Sequence, residues 1–314
     1  MTGGLLVVGD VVTDVVARHG GTLAHGTDTA ARIRTRAGGA GANAACWAAR
    51  AGCRDVRLVA RVGSESADWH RDLLQRAGVR GLLAVDEGAP TGTVVALVDP
   101  SAERTFLTDS GAVLRLSPDD WSPSMLDGIA HLHLSGYLLF AATSRATALL
   151  ALREARRRNI PVSIDPASTG FLAELGVDRF LTLTEGADLL LPNADEARLL
   201  TGLPDPADAA AKLSLLVRQV VVTLGEDGVM LATEGAVTAR VPAEPVTAAV
   251  DSTGAGDAFN GGFLAARLAG ADDATAAAVG CRAGAEAVMT VGGRPPCPPR
   301  RTCAGRTPGE DRAP

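Results

Sequence analysis

The chain has 314 residues, 46% apolar and 21% charged, with a formal charge of −6; it is long enough for one large or two medium domains and too apolar for global disorder or a collagen-like repeat. The acidic balance argues against nucleic acid as the main partner, which would require a basic face. No apolar run reaches the roughly 18 residues of a membrane span, and Met1 to Asp10 has no basic leader or cleavage site, so a cytoplasmic protein acting on small molecules is expected, with neither nucleic acid nor membrane as partner.

Leu5 to Val8 is a continuous apolar run ending at Gly9-Asp10, the pattern of a strand covered on both faces. Residues 11–17 and 31–36 read as separate strands, the second alternating Arg32, Arg34 and Arg36 with Ile33 and Thr35. Cys46 and Cys53, seven apart on one predicted helical face, read as buried small residues among five cysteines that form no CxxC pair. Short apolar runs recur at Val56 to Ala60, Leu132 to Leu134, Val162 to Ile164, Asp188 to Leu191 and Val220 to Leu224, separated by helical stretches such as Ser144 to Arg158. This βα alternation predicts a parallel sheet. Thr91 to Asp99 and Arg104 to Thr108 predict a hairpin across Pro100 to Glu103, part of a small accessory sheet. Arg61 and Arg104 read as solvated, and His131 and His133 as a partly buried strand edge rather than metal ligands. Lys212 is the only lysine, so a Walker-type Gly-Lys-Ser/Thr loop is absent; it is expected on a helical surface, paired with Asp208. Residues 295–314 hold six of the 17 prolines and four arginines and read as a disordered tail to a single domain over 1–294.

The segment Val250-Asp251-Ser252-Thr253-Gly254-Ala255-Gly256-Asp257-Ala258-Phe259 carries the most chemistry. Phe259, Gly262, Phe263 and Ala266 follow at helical spacing, so the glycine turn opens a helix whose first amides lack intrahelical partners. Glycine lets an anion approach that backbone, and the helix dipole favours negative charge there. Asp257 in the same turn suits a hydroxyl attacking a phosphoryl group, although an aspartate at a helix start is also an ordinary cap.

These residues resemble the C-terminal signature of the PfkB/ribokinase family of carbohydrate kinases, Asp-Thr-X-Gly-Ala-Gly-Asp-X-Phe, with Ser252 in place of threonine. The resemblance implies that Asp257 is the catalytic base and that the amides of Gly254, Ala255 and Gly256 form an anion hole for the γ-phosphate of ATP. Upstream, Gly38-Gly39-Ala40-Gly41-Ala42-Asn43 is similar to the family's N-terminal signature, which places Gly38, Gly39 and Asn43 on the sugar together with Asp14. An amide that both donates and accepts suits a polyol. Pro192 to Glu196 looks like the family's Asn-X-X-Glu element, which implies that Asn193 and Glu196 organise Mg²⁺, through water, and the nucleotide's phosphate, with Asn193 a nucleotide contact; the same spacing also fits a capping box. Thr223 to Gly228 resembles the strand end that lines the nucleotide, giving Thr223, Gly225 and Gly228 nucleotide contacts, and Asp251 and Thr253 resemble positions near a monovalent cation such as K⁺.

The fold implied is α/β, a ribokinase-like three-layer α/β/α sandwich with a small β-sheet lid from about 11–36 and 91–108. The activity implied is ATP-dependent phosphorylation of a hydroxyl on a small sugar or sugar acid, with a nucleoside kinase as the alternative. A homodimer through the lids is the expected assembly. Ribokinases proper place a lysine and an asparagine where this chain has Ala40 and Val12, so ribose is not the expected acceptor. Gly39 to Ala44 also satisfies the dinucleotide pattern GxGxxA, but no buried strand precedes it, which argues against an NAD enzyme. A non-catalytic binder on the same fold would not need Asp257. A helix start favours the charged carboxylate, so Asp257 is expected to be a weaker base than a buried acid.

Overall fold

A computed structural model describes residues 3–99 and 104–296. The first half of the chain runs β1 (Gly4–Val8), β2 (Val12–His19), β3 (Ala31–Gly38), α1 (Ala40–Arg50), β4 (Val56–Gly63), α2 (Ala67–Arg76), β5 (Val79–Asp86), β6 (Thr91–Val98), β7 (Arg104–Gly111) and β8 (Ile129–Ser135). It continues with α3 (Ala142–Arg157), β9 (Val162–Asp165), α4 (Thr169–Leu175), α5 (Val177–Leu183), β10 (Leu189–Leu190), α6 (Ala194–Thr201), α7 (Pro206–Leu213) and β11 (Gln219–Thr223). A hairpin of β12 (Val229–Thr233) and β13 (Ala236–Val241) precedes α8 (Ala255–Leu268) and α9 (Asp273–Val288).

Nine strands form one sheet in the order β13-β12-β11-β10-β9-β8-β1-β4-β5, and β3-β2-β6-β7 form a second. From β11 to β5 every pairing in the large sheet is parallel. The side-chain period of two divides β1 between two cores. Leu5 and Val7 pack with residues of α1, α2, α8 and α9; Leu6 and Val8 pack with residues of α3 through α7. Hence the run is apolar throughout, and each of these leucines is worth about 2–5 kcal/mol against alanine. Among the described residues no helix is long and apolar enough to cross a membrane.

The small sheet carries the same logic to the lid. Asp14 pairs with Val94, and Val94 with Thr108, so these three share one face. Val12, Phe106 and Ser110 fall on that face by alternation, and all six line the cleft below.

Several expectations are corrected by the tertiary context. His131 and His133 lie in the middle of the large sheet, since β8 sits between β1 and β9, and both imidazoles bond the Ser163 hydroxyl, at 2.8 and 2.9 Å. Burial pushes them down to about 3 and about 4, so they pack as neutral rings. Arg61 is not simply solvated: it bridges Asp86 and Asp120, each at 2.8 Å. The Lys212 ammonium donates to the Thr201 carbonyl at 3.0 Å instead of meeting Asp208. Cys53 falls past the end of α1, so only Cys46 shares that helix's buried face. Strands β5, β12 and β13 were not expected; the β12–β13 turn is made by Glu234 and Gly235, both at positive φ, the geometry of a tight hairpin. The Pro100 to Glu103 turn lies outside the described residues, as does the tail from residue 297 on.

Candidate active site

The carboxyl ends of β1, β8, β9, β10 and β11 open under the lid into a cleft of about 600 Å³, where ligands bind in open α/β sheets. Its lining brings together Asp14, Gly39, Asn43, Asn193, Glu196, Thr223, Thr253, Gly254, Ala255, Gly256 and Asp257. These come from five stretches of chain. Gly38, Gly225, Gly228 and Asp251 stand outside the lining.

At the floor, Gly254 is the residue before α8, at φ 75°. A Cβ there would lie 2.5 Å from the Gly293 Cα, so both the left-handed backbone and the close approach require glycine. The Ala255 amide makes one long bond, 3.3 Å, to the Ser252 carbonyl. Gly256 and Asp257 follow in the first turn, where no intrahelical carbonyl is available to their amides. A Cβ on Gly256 would meet nothing within 4 Å, leaving a cradle open to the cleft. The Asp257 carboxylate accepts from the Asn43 Nδ2 at 2.8 Å. Asn43 is otherwise buried, and its Oδ1 has no hydrogen-bond partner among the described residues.

A second helix start faces the same cleft, and it is already filled. Gly39, at φ 99°, provides no side-chain cap for α1. Instead the Asp10 carboxylate accepts from the amides of Ala40 at 2.7 Å and Gly41 at 3.1 Å, and from the Ser135 hydroxyl at 2.7 Å. An internal anion therefore occupies the place a dinucleotide's pyrophosphate would need, which removes the NAD reading of Gly39 to Ala44. Of the α1 and α8 starts, the one left open for an exogenous anion is that of α8.

On the far wall Asn193 and Glu196 form the reciprocal capping box, each bond 2.9 Å, and Thr223 bridges to Asn193. Gly225 and Gly228 shape the turn after β11 instead, at φ 62° and 91°. Asp251 is buried and accepts from the amides of Thr253 at 2.8 Å and Gly292 at 3.0 Å, which ties the turn before α8 to the segment after α9. Gly38 sits against Asp14, where any Cβ would collide with the carboxylate.

Among the lining residues that were not anticipated, three more polar ones stand close to the cleft's acids. Asp165 ends β9 as Asp10 follows β1, an acid closing an apolar run, and that parallel was visible in the sequence. Asn260 donates to Asp165 at 2.6 Å and lies three residues after Asp257, on the same helical face. Tyr137, the only tyrosine, packs edge-on against Phe171 at 5.6 Å.

The gathering of acids sets the electrostatics. Burial, then the neighbouring Asp165, pushes the Asp257 carboxyl well above the usual range. This reverses the expectation from the helix dipole: a half-charge at one helix end is outweighed by lost water and the three nearby acids Asp165, Asp10 and Asp14. Glu196 is raised by burial and by Asp165, and Asp165 chiefly by burial. Such a concentration of like charge suits a site that takes up a divalent cation with oxygen ligands. Asp14 is raised to about 7 by burial, with Asp10 and Asp251 adding to it and Arg294 opposing. Below pH 4 this group costs the fold nothing; as pH rises from 4 to 7 the unfolded chain has released the proton and the folded one has not, so stability is lost across that window. The melting temperature of the ligand-free protein should thus fall between pH 4 and 7, and Asp14→Asn should flatten that slope in scanning calorimetry; an unchanged slope would show that Asp14 titrates normally.

Ala167 also lines the cleft, at φ 85°, its amide held by the Asp165 carboxylate at 2.7 Å. Ala167→Gly should raise unfolding free energy by about 0.5–1 kcal/mol, the left-handed cost less the chain entropy that glycine adds. Denaturant titration checks this, and an unchanged or lower midpoint would show that the turn carries no strain.

Comparisons with known proteins agree with this fold. Residues 3–300 match the pfkB family carbohydrate kinases. A fructokinase of Klebsiella pneumoniae is 33% identical over 277 residues, 84% of each chain. A solved ribokinase of Thermotoga maritima superposes with a TM-score of 0.79 at 27% identity, over 93% of this chain and 94% of that one. An E. coli structure described as a ribokinase II in complex with ATP and Mg²⁺ shares the fold at a TM-score of 0.81 and 24% identity, over 93% and 94% of the two chains. With its nine-stranded sheet, four-stranded lid and the Asp251 to Phe259 turn at the floor of the cleft, the chain belongs to the pfkB family of carbohydrate kinases.

Proposed function

We propose that this protein transfers the γ-phosphate of ATP to a hydroxyl of a small sugar held between the lid and Asn43. The observation that carries the reading is the pairing, at one helix start, of an open anion cradle at Gly254 to Gly256 with the Asp257 carboxylate held 2.8 Å from Asn43. Asp257 orients the acceptor hydroxyl and takes its proton as the phosphoryl group moves. The first-turn amides of α8 spread the charge of the transferring group. Asp14 and the unpartnered Oδ1 of Asn43 hold the other sugar hydroxyls, with Gly38 and Gly39 bringing the backbone close. Thr223 contacts the nucleotide, and the Gly225 to Gly228 turn borders it. Asn193 and Glu196 would hold Mg²⁺ through water, and the ion would supply positive charge to offset that of the phosphates. A monovalent cation such as K⁺ belongs beside Asp251 and Thr253, below the anion cradle.

One observation favours a second reading. Tyr137 and Phe171 also line an annex of about 240 Å³ that opens beside the cleft, walled by Phe140, Leu114 and Leu175. A flat apolar group attached to the sugar, as in a nucleoside, would fit against these rings. ADP release measured with ATP, Mg²⁺ and a panel of hexoses, keto-sugar acids, pentoses and nucleosides tests both. Acceptor-dependent release with a sugar supports the proposal, response to nucleosides alone moves it to the second reading, and no acceptor-dependent release contradicts both.

A further inference from the structure

Resting on the kinase reading, we propose that Asp10 is a positioning residue for phosphoryl transfer: as an internal anion at the start of α1, it fixes the helix that aims Asn43 at Asp257. The bonds form a continuous path. Ser135 at the end of β8 and the first amides of α1 converge on one carboxylate, and the Asp10 carbonyl also accepts from the Ala42 amide at 3.2 Å. One residue later on α1 comes Asn43, whose amide grips Asp257. Asp10 is itself 5% exposed, and Gly9 before it packs directly on Gly41, where a Cβ would lie 2.7 Å from the facing Cα. No side chain at the start of α1 can replace the Asp10 carboxylate on these amides, because Gly39 has none to cap the helix.

The arrangement does two things at once. It sets the angle of Asn43, and small displacements of a reacting group are costly: a shift of about 1 Å lowers rates by roughly 100-fold. It also adds a carboxylate to the cleft that Asp14, Asp165, Glu196, Asp257 and Tyr137 line. The charge of Asp10 contributes to the upward shift of Asp14, Asp165 and Asp257 and helps keep the Tyr137 phenol neutral.

Removing the carboxylate should leave two amides and a hydroxyl converging on an empty anion site, so a small anion can replace it. The test uses the full chain, with acceptor-dependent ADP release by the wild type first establishing the kinase reading. Asp10→Ala is then expected to lose at least ~10-fold in kcat with a KM for ATP within about threefold, since the α8 cradle is untouched. Added formate should restore several-fold of that loss, and should have no effect on the wild type, whose site is full. The acidic limb of the rate profile should move to lower pH in Asp10→Ala and return with formate. Wild-type kcat in Asp10→Ala, or a loss that formate leaves unchanged and that falls equally on the KM for ATP, would overturn the role. If Asp10→Ala does not fold, Asp10→Asn decides: a lowered kcat with its acidic limb moved to lower pH supports the role, and an unmoved limb at wild-type kcat overturns it. Failure of the wild type to release ADP with any acceptor would instead remove the kinase reading beneath it.

Discussion

Asp257→Asn is expected to lower turnover by at least ~100-fold, the usual contribution of a positioned base, while binding ATP as well as the wild type or better. The substitution is nearly isosteric, and the new amide can turn its oxygen toward the Asn43 Nδ2 that now holds the carboxylate at 2.8 Å, so the helix start should keep its shape. What is lost is the proton acceptor and a negative charge next to the place the triphosphate would occupy. The raised carboxyl adds a pH signature. The base acts only when ionised, so wild-type turnover should climb as pH rises through the range where Asp257 loses its proton, and the residual activity of the variant should lack that climb. Steady-state ADP release and calorimetric ATP titration measure both quantities. Near-normal kcat in the variant would place the chemistry elsewhere.

Gly256→Val should separate binding from folding. The position lines the cleft, with nothing beyond its own helix turn and chain neighbours within 4 Å of the added Cβ, so stability should stay within about 0.5 kcal/mol. The added methyl groups would stand in the cradle itself. A kcat/KM for ATP lowered about 100-fold is expected, comparable to losing one donor of an oxyanion hole. Thermal melting and ATP titration on the same sample check it. A variant with unchanged ATP kinetics would mean that phosphate does not approach this turn.

How much of this was legible in the sequence follows from how local each signal is. The Asp251 to Phe259 turn, the Gly38 to Asn43 turn and the apolar runs of β1, β8, β9 and β11 are contiguous in the chain, and each was placed within a few residues. The hairpin strands of the lid were equally plain because both border the contiguous turn-type sequence Pro100 to Glu103. Features set by distant neighbours were not. His131 and His133 alternate like edge residues, and only the order of strands puts them in the sheet's interior. Arg61 was read as solvated because Asp86 and Asp120, its partners, come from 25 and 59 residues away. The helix start at Asp257 predicted a depressed carboxyl, whereas the acids that raise it arrive from other strand ends. Asp10 shows the limit most clearly: its cap on α1 spans 30 residues, and nothing near Gly39 announces it.

The central claim is that the open start of α8, and not the filled start of α1, receives the terminal phosphate of a nucleotide. A crystal structure with a non-hydrolysable ATP analogue and Mg²⁺ addresses it directly. The γ-phosphate oxygens should lie about 2.7–3.2 Å from amides of the Gly254 to Asp257 turn, with the Asp257 carboxylate beside the face left for the acceptor. A terminal phosphate bound at Ala40 and Gly41 with Asp10 displaced, or anywhere that leaves the first turn of α8 unused, would contradict the account.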